Sequence, residues 1–210
     1  MIYDFFRWYA IINAYLVQWI LFKRKTYYED RAVQGKKIKG GALVISNHYN
    51  MFDYVLNMFL LLPRRLNVVT SEMAYSNKFV AWGMKCFGGI KCDRIMKSMR
   101  FIDESAELIK KGELVQIFPE GHNTDDGEMD KFKPSYIMIA LRAKAPIVPI
   151  ITDGNYGFFK RAHIIIGKPI NLWDYCKTEN PSREEIVTLN EMVYNKALAL
   201  RSQLKELGGK

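Results

Sequence analysis

The sequence predicts an α/β domain in which a largely parallel or mixed central sheet is flanked by helices. From residue 41 onward, short apolar runs alternate with longer stretches of helical periodicity, which is the pattern of strands separated by helices within one sheet. The chain has 210 residues and is 49% hydrophobic, which suits one sizeable core better than two. In such a sheet, ligands bind at the carboxyl ends of the strands.

Six short apolar runs are predicted as strands: ALVIS at 42–46, LNVVTS at 66–71, GGIKC at 88–92, LVQIF at 114–118, PIVPII at 146–151 and AHIIIG at 162–167. The stretches after the first four of these runs predict helices at 54–62, 76–87, 98–112 and 135–145. A last helix begins at Ser182, where Glu185 completes a capping box. The polar loop at 121–134 follows a buried strand and is expected at the functional rim.

Residues 1–40 are predicted to form a separate N-terminal segment, and residues 41–210 the α/β domain. A helix drawn through the segment has a wide apolar, aromatic face and one narrow polar stripe containing Asp4, Arg7, Gln18 and Lys25. The apolar run of this segment is a little short for a helix that spans a membrane, and it contains too many polar side chains. The segment also lacks the positive start and the small-residue cleavage site of a signal peptide.

We therefore expect the N-terminal helix to associate with the membrane interface. Trp8 and Trp19 would lie at headgroup depth, while Lys23, Arg24 and Lys25 would contact anionic phosphates. The alternative is an amphipathic helix that packs on its own domain. The expected location is the cytoplasmic face of the cell membrane, with peripheral or monotopic attachment.

The charge of the chain favours polyanionic partners. The formal net charge is +9, and residues 1–40 carry eight Lys or Arg against three Asp or Glu, a contribution of +5. Membrane surfaces with anionic lipids fit this pattern, whereas no nucleic-acid-binding motif is present, so nucleic acid is not an expected partner. Three scattered cysteines indicate a reducing environment, and they suggest neither a disulfide framework nor a structural zinc site.

His48 and Asp53 lie where the first predicted strand ends and the next helix begins. If His48 is in the turn and Asp53 in the first helical turn, the carboxylate reaches back to the imidazole. A carboxylate on one ring nitrogen fixes the tautomer and leaves the other nitrogen as a base for a hydroxyl. Taken alone, the pair also fits a structural histidine at a strand end.

Four segments in order resemble the motif blocks of the glycerolipid acyltransferase superfamily, which includes lysophosphatidic acid acyltransferases. They are NHYNMFD at 47–53, which has the NHxxxxD form, GGIKCDR at 88–94, FPEGHNT at 118–124 and PIVPI at 146–150. The resemblance covers roughly residues 40–170, and four ordered blocks are far more specific than one.

The resemblance implies transfer of a fatty acyl group from acyl-CoA or acyl-carrier protein to the hydroxyl of a lysophospholipid, in phospholipid biosynthesis. His48 would be the general base and Asp53 its supporting carboxylate, with no cofactor and no metal. The resemblance also implies that the acceptor-binding residues are Lys91, Arg94, Glu120, Gly121, Asn123 and Thr124. Glu120 could instead be a structural carboxylate.

The third block departs from the family pattern. The family has Thr-Arg-Ser where this chain has His122, Asn123 and Thr124, so the arginine credited with holding the acceptor phosphate is missing. Either Lys91, Arg94, Lys131 or Lys133 substitutes for it, or the lysolipid has a different headgroup. His122 could be a second base, a headgroup contact or a loop residue.

Two readings compete with transfer to a lysolipid. One is a non-catalytic peripheral lipid-binding protein of the same fold, although such a protein has no need of the histidine and carboxylate pair. The other is a thioesterase, in which water replaces the lipid hydroxyl.

Overall fold

The computed structural model describes residues 2–31, 38–93, 99–124, 128–176 and 181–208. Six α-helices occupy this part of the chain: α1 (Ile2–Phe22), α2 (Phe52–Leu60), α3 (Lys78–Cys86), α4 (Arg100–Lys110), α5 (Ser135–Ala143) and α6 (Arg183–Glu206). Seven strands form one sheet: β1 (Lys25–Tyr28), β2 (Ala42–Ser46), β3 (Leu66–Ser71), β4 (Gly89–Cys92), β5 (Leu114–Ile117), β6 (Ile147–Thr152) and β7 (His163–Ile166).

The strand order is β1-β7-β6-β2-β5-β3-β4, and every neighbouring pair is parallel except β6 with β7. The predicted fold class is therefore confirmed. Because β2 to β6 all run in one direction, their carboxyl ends meet at the same edge of the sheet. This edge is where His48 and the FPEG segment emerge.

The predicted strands and helices agree with the structure to within a few residues at their ends. At the start of α6, Ser182 Oγ accepts the N–H of Glu185 at 3.2 Å, and a carboxylate oxygen of Glu185 accepts the N–H of Ser182 at 2.9 Å. The predicted capping box is thus present. It ends the loop that leads into the longest helix of the fold.

Strand β1 was not predicted, and it lies inside the N-terminal segment. Lys25 was predicted to lie on the polar stripe of the N-terminal helix. In the structure α1 ends at Phe22, and Lys25 is the first residue of β1. Lys25 to Tyr28 pair in parallel with His163 to Ile166, so the segment contributes the edge strand of the sheet. A four-residue strand is too short for its periodicity to be recognised, and it forms because β7 offers an open edge.

Helices cover both faces of the sheet. Helices α4, α5 and α6 bury one face around residues such as Ile102, Tyr136 and Val193. On the other face α2 packs on the sheet through Leu56, and α1 packs against α2 through Ile11. The central strands therefore lie between two apolar layers, which explains the continuous burial of ALVIS and IVPIIT.

Helix α1 packs with its polar stripe toward the protein. Arg7 and Gln18 are 4% and 2% exposed, together with Ile11 and Phe22. Its large apolar side chains point outward and are exposed: Ile2, Phe5, Trp8, Tyr9, Ile12, Tyr15, Leu16, Val17, Trp19 and Ile20. An amphipathic helix packed on its own domain would show the opposite arrangement.

Candidate active site

The turn after β2 is fixed to the neighbouring strand β6 by Asn47. The Asn47 amide donates to the carbonyl of Thr152 at 2.9 Å, and its oxygen accepts the N–H of Thr152 at 3.0 Å. Asn47 is 3% exposed, so water competes little for these two bonds. The first residue of the NHxxxxD block thus sets where the chain leaves the sheet.

His48 follows in that turn, and Asp53 lies in the first turn of α2, as the sequence suggested. Nδ1 of His48 is 3.0 Å from Oδ2 of Asp53. Because the carboxylate accepts, Nδ1 carries the proton and Nε2 keeps a lone pair for a substrate. The ring is also stacked on Phe118, with centroids 3.9 Å apart and planes inclined by 16°, which fixes its orientation.

Asp53 is fully buried, and four donors surround its carboxylate. Oδ2 accepts the backbone N–H groups of Tyr49 and Asn50, each at 2.7 Å, in addition to His48. Oδ1 accepts the hydroxyl of Tyr156, which comes from the loop after β6. Burial, and next the charge of Asp53, raise the pKa of Tyr156, so its hydroxyl remains a donor.

Tyr156 is a residue that the sequence analysis missed. It lies 103 positions from Asp53 and belongs to no motif block. Its hydroxyl is also 3.0 Å from Oγ1 of Thr152, and its ring packs edge-on against Phe22 at the end of α1. A tyrosine soon after the PIVPI strand was the available signal, but nothing local connected it with the histidine turn.

The side chain of Glu120 holds the His48 turn in place through hydrogen bonds. It is fully buried, and its two oxygens accept the N–H of His48 and the N–H of Asp130, both at 2.8 Å. Burial raises the pKa of the Glu120 carboxyl, and these two donors oppose that effect only in part. Glu120 does not line the cavity beside His48, so this position matches the structural alternative. Its predicted acceptor contact remains a prediction.

Thr124 closes the same turn from the third block. Its N–H and its hydroxyl both donate to the carbonyl of His48, at 2.9 and 3.2 Å. Glu120 and Thr124 therefore hold the backbone of His48 on both its N–H and its C=O side. The third block sets the position of the histidine as well as forming the rim.

An apolar cavity of about 760 Å³ begins at His48. One end is formed by Phe118, Gly121, His122 and Asn123. The remainder runs between α1, α2, β3 and α3, where its walls include Ala14, Val55, Met58, Val69 and Met84. A long hydrocarbon chain would fit this space, with its polar end at the imidazole.

His122 stands at the cavity rim between two acceptors. Nδ1 is 3.1 Å from the carbonyl of Glu120, and Nε2 is 2.7 Å from Oδ2 of Asp130. Both partners accept, so the ring can donate to both only as an imidazolium. Beside it, Gly121 adopts φ +78°, and a Cβ there would meet Nζ of Lys133 at 2.8 Å. Lys133 is thus at the rim.

The other residues predicted to bind the acceptor do not line the cavity where the structure describes them. Lys91 is exposed on the edge strand β4, outside the cavity lining, and Lys131 is exposed in the loop before α5. Arg94 lies outside the described residues. No cluster of three or more His, Cys, Asp or Glu side chains with metal-binding spacing occurs in the part of the chain that the structure describes.

The predicted membrane residues gather around α1. Trp8 and Trp19 are 40% and 50% exposed, and Lys23 and Lys25 are exposed as well. The guanidinium of Arg24 lies over the Trp19 ring at 5.6 Å. None of the described helices combines the length and the apolar character that crossing a bilayer requires.

Comparison with known proteins identifies similar sequences and a similar fold. The sequence model of a family described as Acyltransferase matches residues 17–153, more than half of the chain. A 1-acyl-sn-glycerol-3-phosphate acyltransferase of Bacillus subtilis is 26% identical over 172 residues, which cover 80% of this chain and 84% of that protein. The alpha enzyme of the same name from Homo sapiens is 30% identical, but over only 56% of this chain and 42% of its own.

A solved structure extends the comparison to the fold. The crystal structure of the 1-acyl-sn-glycerophosphate (LPA) acyltransferase PlsC from Thermotoga maritima superimposes with a TM-score of 0.65 and 19% identity. The match covers 97% of this chain and 82% of that one. At this identity, the similarity concerns the fold.

Proposed function

This chain belongs to the acyltransferase family, as the four sequence blocks indicated, and on that premise we propose that it is a membrane-associated lysophospholipid O-acyltransferase. In this proposal a fatty acyl group passes from acyl-CoA or acyl-carrier protein to the hydroxyl of a lysophospholipid such as lysophosphatidic acid, a step of phospholipid biosynthesis. The observation that carries the proposal is the His48 and Asp53 pair at the mouth of an apolar cavity. No cofactor is required.

The proposed acyl transfer depends on the tautomer of His48, in which Nδ1 carries the proton and Nε2 has a free lone pair. Nε2 of His48 takes the proton of the acceptor hydroxyl while the hydroxyl oxygen attacks the thioester carbonyl. Asp53 stabilises the resulting imidazolium through Nδ1–H. When the tetrahedral intermediate collapses, the carbon–sulfur bond breaks and the leaving thiolate takes the proton from Nε2. His48 and Asp53 thereby return to their starting state.

The rim of the cavity supplies the acceptor contacts in this proposal. Lys133 lies beside Gly121 and is placed to face an anionic headgroup that the missing arginine would otherwise hold, while His122 lines the cavity with its ring nitrogens bonded to Glu120 and Asp130. The ammonium of Lys133 beside Gly121 favours a lysolipid that bears a phosphate. Lysophosphatidic acid is therefore the preferred acceptor, as the names of the relatives also suggest.

The outward apolar face of α1 supports association with the membrane. Lysolipid and product reside in the bilayer, and Ala14 of α1 forms part of the cavity wall. The exposed tryptophans and the basic residues that follow the helix suit the interface of an anionic leaflet.

The direct test uses purified protein in detergent micelles with labelled acyl-CoA and acyl-carrier protein, offered separately with a panel of lysolipids. We expect a new diacyl lipid, formed fastest from lysophosphatidic acid. Release of free fatty acid without a new lipid would indicate a thioesterase. Absence of turnover with every donor and acceptor would indicate a non-catalytic lipid-binding protein.

A further inference from the structure

The loop between β6 and β7 exposes two aromatic rings to solvent. Phe158 is 63% exposed and Phe159 is 102% exposed, the highest value among the large hydrophobic residues that the structure describes. Burial of a phenylalanine side chain is strongly favourable, so two adjacent exposed rings are costly in water. Neither residue belongs to the motif blocks or to the cavity.

The loop has a fixed base, so it presents these rings in a defined place. Oδ1 of Asp153 accepts the N–H of Asn155 at 3.1 Å and the N–H of His163 at 3.0 Å, one on each side of the loop. The side-chain amide of Asn155 donates across the loop to the carbonyl of Arg161 at 3.2 Å.

The loop is bonded to the end of α1. The N–H of Gly157 donates to the carbonyl of Leu21 at 2.9 Å, and that of Ala162 donates to the carbonyl of Phe22 at 2.8 Å. The ammonium of Lys23 donates to the carbonyl of Phe158. The exposed rings therefore begin where the outward face of α1, with Trp19 and Ile20, ends.

Positive charge accompanies the rings. Lys160 and Arg161 follow Phe159 directly and are exposed, and Lys23 is exposed beside them. Aromatic rings next to exposed cations form the combination that partitions to an anionic lipid interface, where the rings enter the headgroup region and the cations meet phosphates.

We propose that residues 157–161 form a second membrane-contacting element, whose partner is an anionic lipid surface. This proposal rests on the proposed membrane association of α1 and extends it. Because the loop is bonded to the end of α1, the protein docks with both elements against the same bilayer surface. In that orientation the loop lies at the bilayer surface with Phe158 and Phe159 inserted.

Co-sedimentation with phospholipid vesicles tests the proposal. The full chain and its variants are mixed with vesicles of phosphatidylcholine, alone or with added phosphatidylglycerol, and the bound fraction is measured. Replacement of both rings, Phe158→Ser with Phe159→Ser, is expected to weaken binding by about tenfold or more on both kinds of vesicle. Replacement of the cations, Lys160→Gln with Arg161→Gln, is expected to weaken binding by about tenfold on anionic vesicles only.

Tyr175→Ser is the matched control, because Tyr175 is 59% exposed next to Cys176, whose side chain packs against the core on the opposite face of the sheet. It should bind like the wild type, and melting curves should show that all variants are folded. If wild type binds and the double phenylalanine variant binds equally well, the loop proposal is wrong while the α1 proposal stands. If wild type binds neither kind of vesicle, the proposed membrane association itself fails.

Discussion

Oδ2 of Asp53 lies 3.0 Å from Nδ1 of His48, and the same oxygen accepts two backbone N–H groups of the turn between them. These bonds fold the turn back over the carboxylate. As a result, two residues five positions apart in sequence come within hydrogen-bond distance. Asp53 therefore positions the turn and supports the ring at once.

Asp53→Asn should lower kcat by about 10²- to 10⁴-fold, because the amide oxygen still faces Nδ1 and the two backbone N–H groups but carries no negative charge to stabilise the imidazolium. Release of free CoA, followed with a thiol reagent, measures the rate. Asp103→Asn is the control, since Asp103 is exposed and ion-paired with Arg142. Equal rates for the Asp53 variant and wild type would contradict the mechanism.

Tyr156→Phe should lower kcat by about tenfold with little change in KM, because Oδ1 of Asp53 loses its side-chain donor while the ring and its packing remain. Loss of this donor leaves the carboxylate less well oriented, which lowers the rate. With one donor fewer the carboxylate also attracts the imidazolium more strongly, so the acid limb of the kcat–pH profile should move to higher pH. An unchanged kcat together with an unshifted profile would reduce Tyr156 to a packing role.

Glu120→Gln should destabilise the fold by about 1–3 kcal/mol at neutral pH, because one amide N–H₂ must face a backbone N–H. The pKa of Glu120 is raised in the folded state, so its contribution to stability is present at low pH and is lost as pH rises through the folded-state value. The stability advantage of wild type over the variant should therefore shrink as pH rises.

Urea unfolding at a series of pH values measures this difference. Glu107→Gln is the control, because Glu107 is exposed and paired with Lys110 three residues along α4. A wild-type advantage that grows with pH would show that the carboxyl is stabilised in its charged form.

Ala14→Phe should shift donor preference toward shorter acyl chains. Ala14 lies in the cavity wall beside Met58, two helical turns along α2 from the His48 end, so a ring there shortens the space. Rates with a series of acyl-CoA donors give the preference. Val17→Phe is the control on the same helix, since Val17 is exposed, and an equal shift for both variants would contradict the assignment.

Lys133→Ala should raise KM for lysophosphatidic acid by about tenfold with little change in kcat, because a cation is removed from the rim. Lys110→Ala, at an exposed position of α4, is the matched control. Unchanged KM in the Lys133 variant would show that another group holds the phosphate.

Much of the fold was predictable because its signals are local. The alternation of apolar runs with helical periodicity, and the capping box of Ser182, depend on neighbours within a few residues. The site was predictable only where its residues belong to the motif blocks. Tyr156 could not be linked to Asp53 across 103 positions, and the direction of the α1 stripe depends on tertiary packing.

The share that α1 takes in the cavity wall, through Ala10, Ile11 and Ala14, has a practical consequence. A variant without α1 would expose fewer apolar side chains to solvent. The shortened protein would lose one wall of the cavity and the helix that packs against α2. It would stay in solution and yet turn over long-chain thioesters poorly, with His48 and Asp53 both intact.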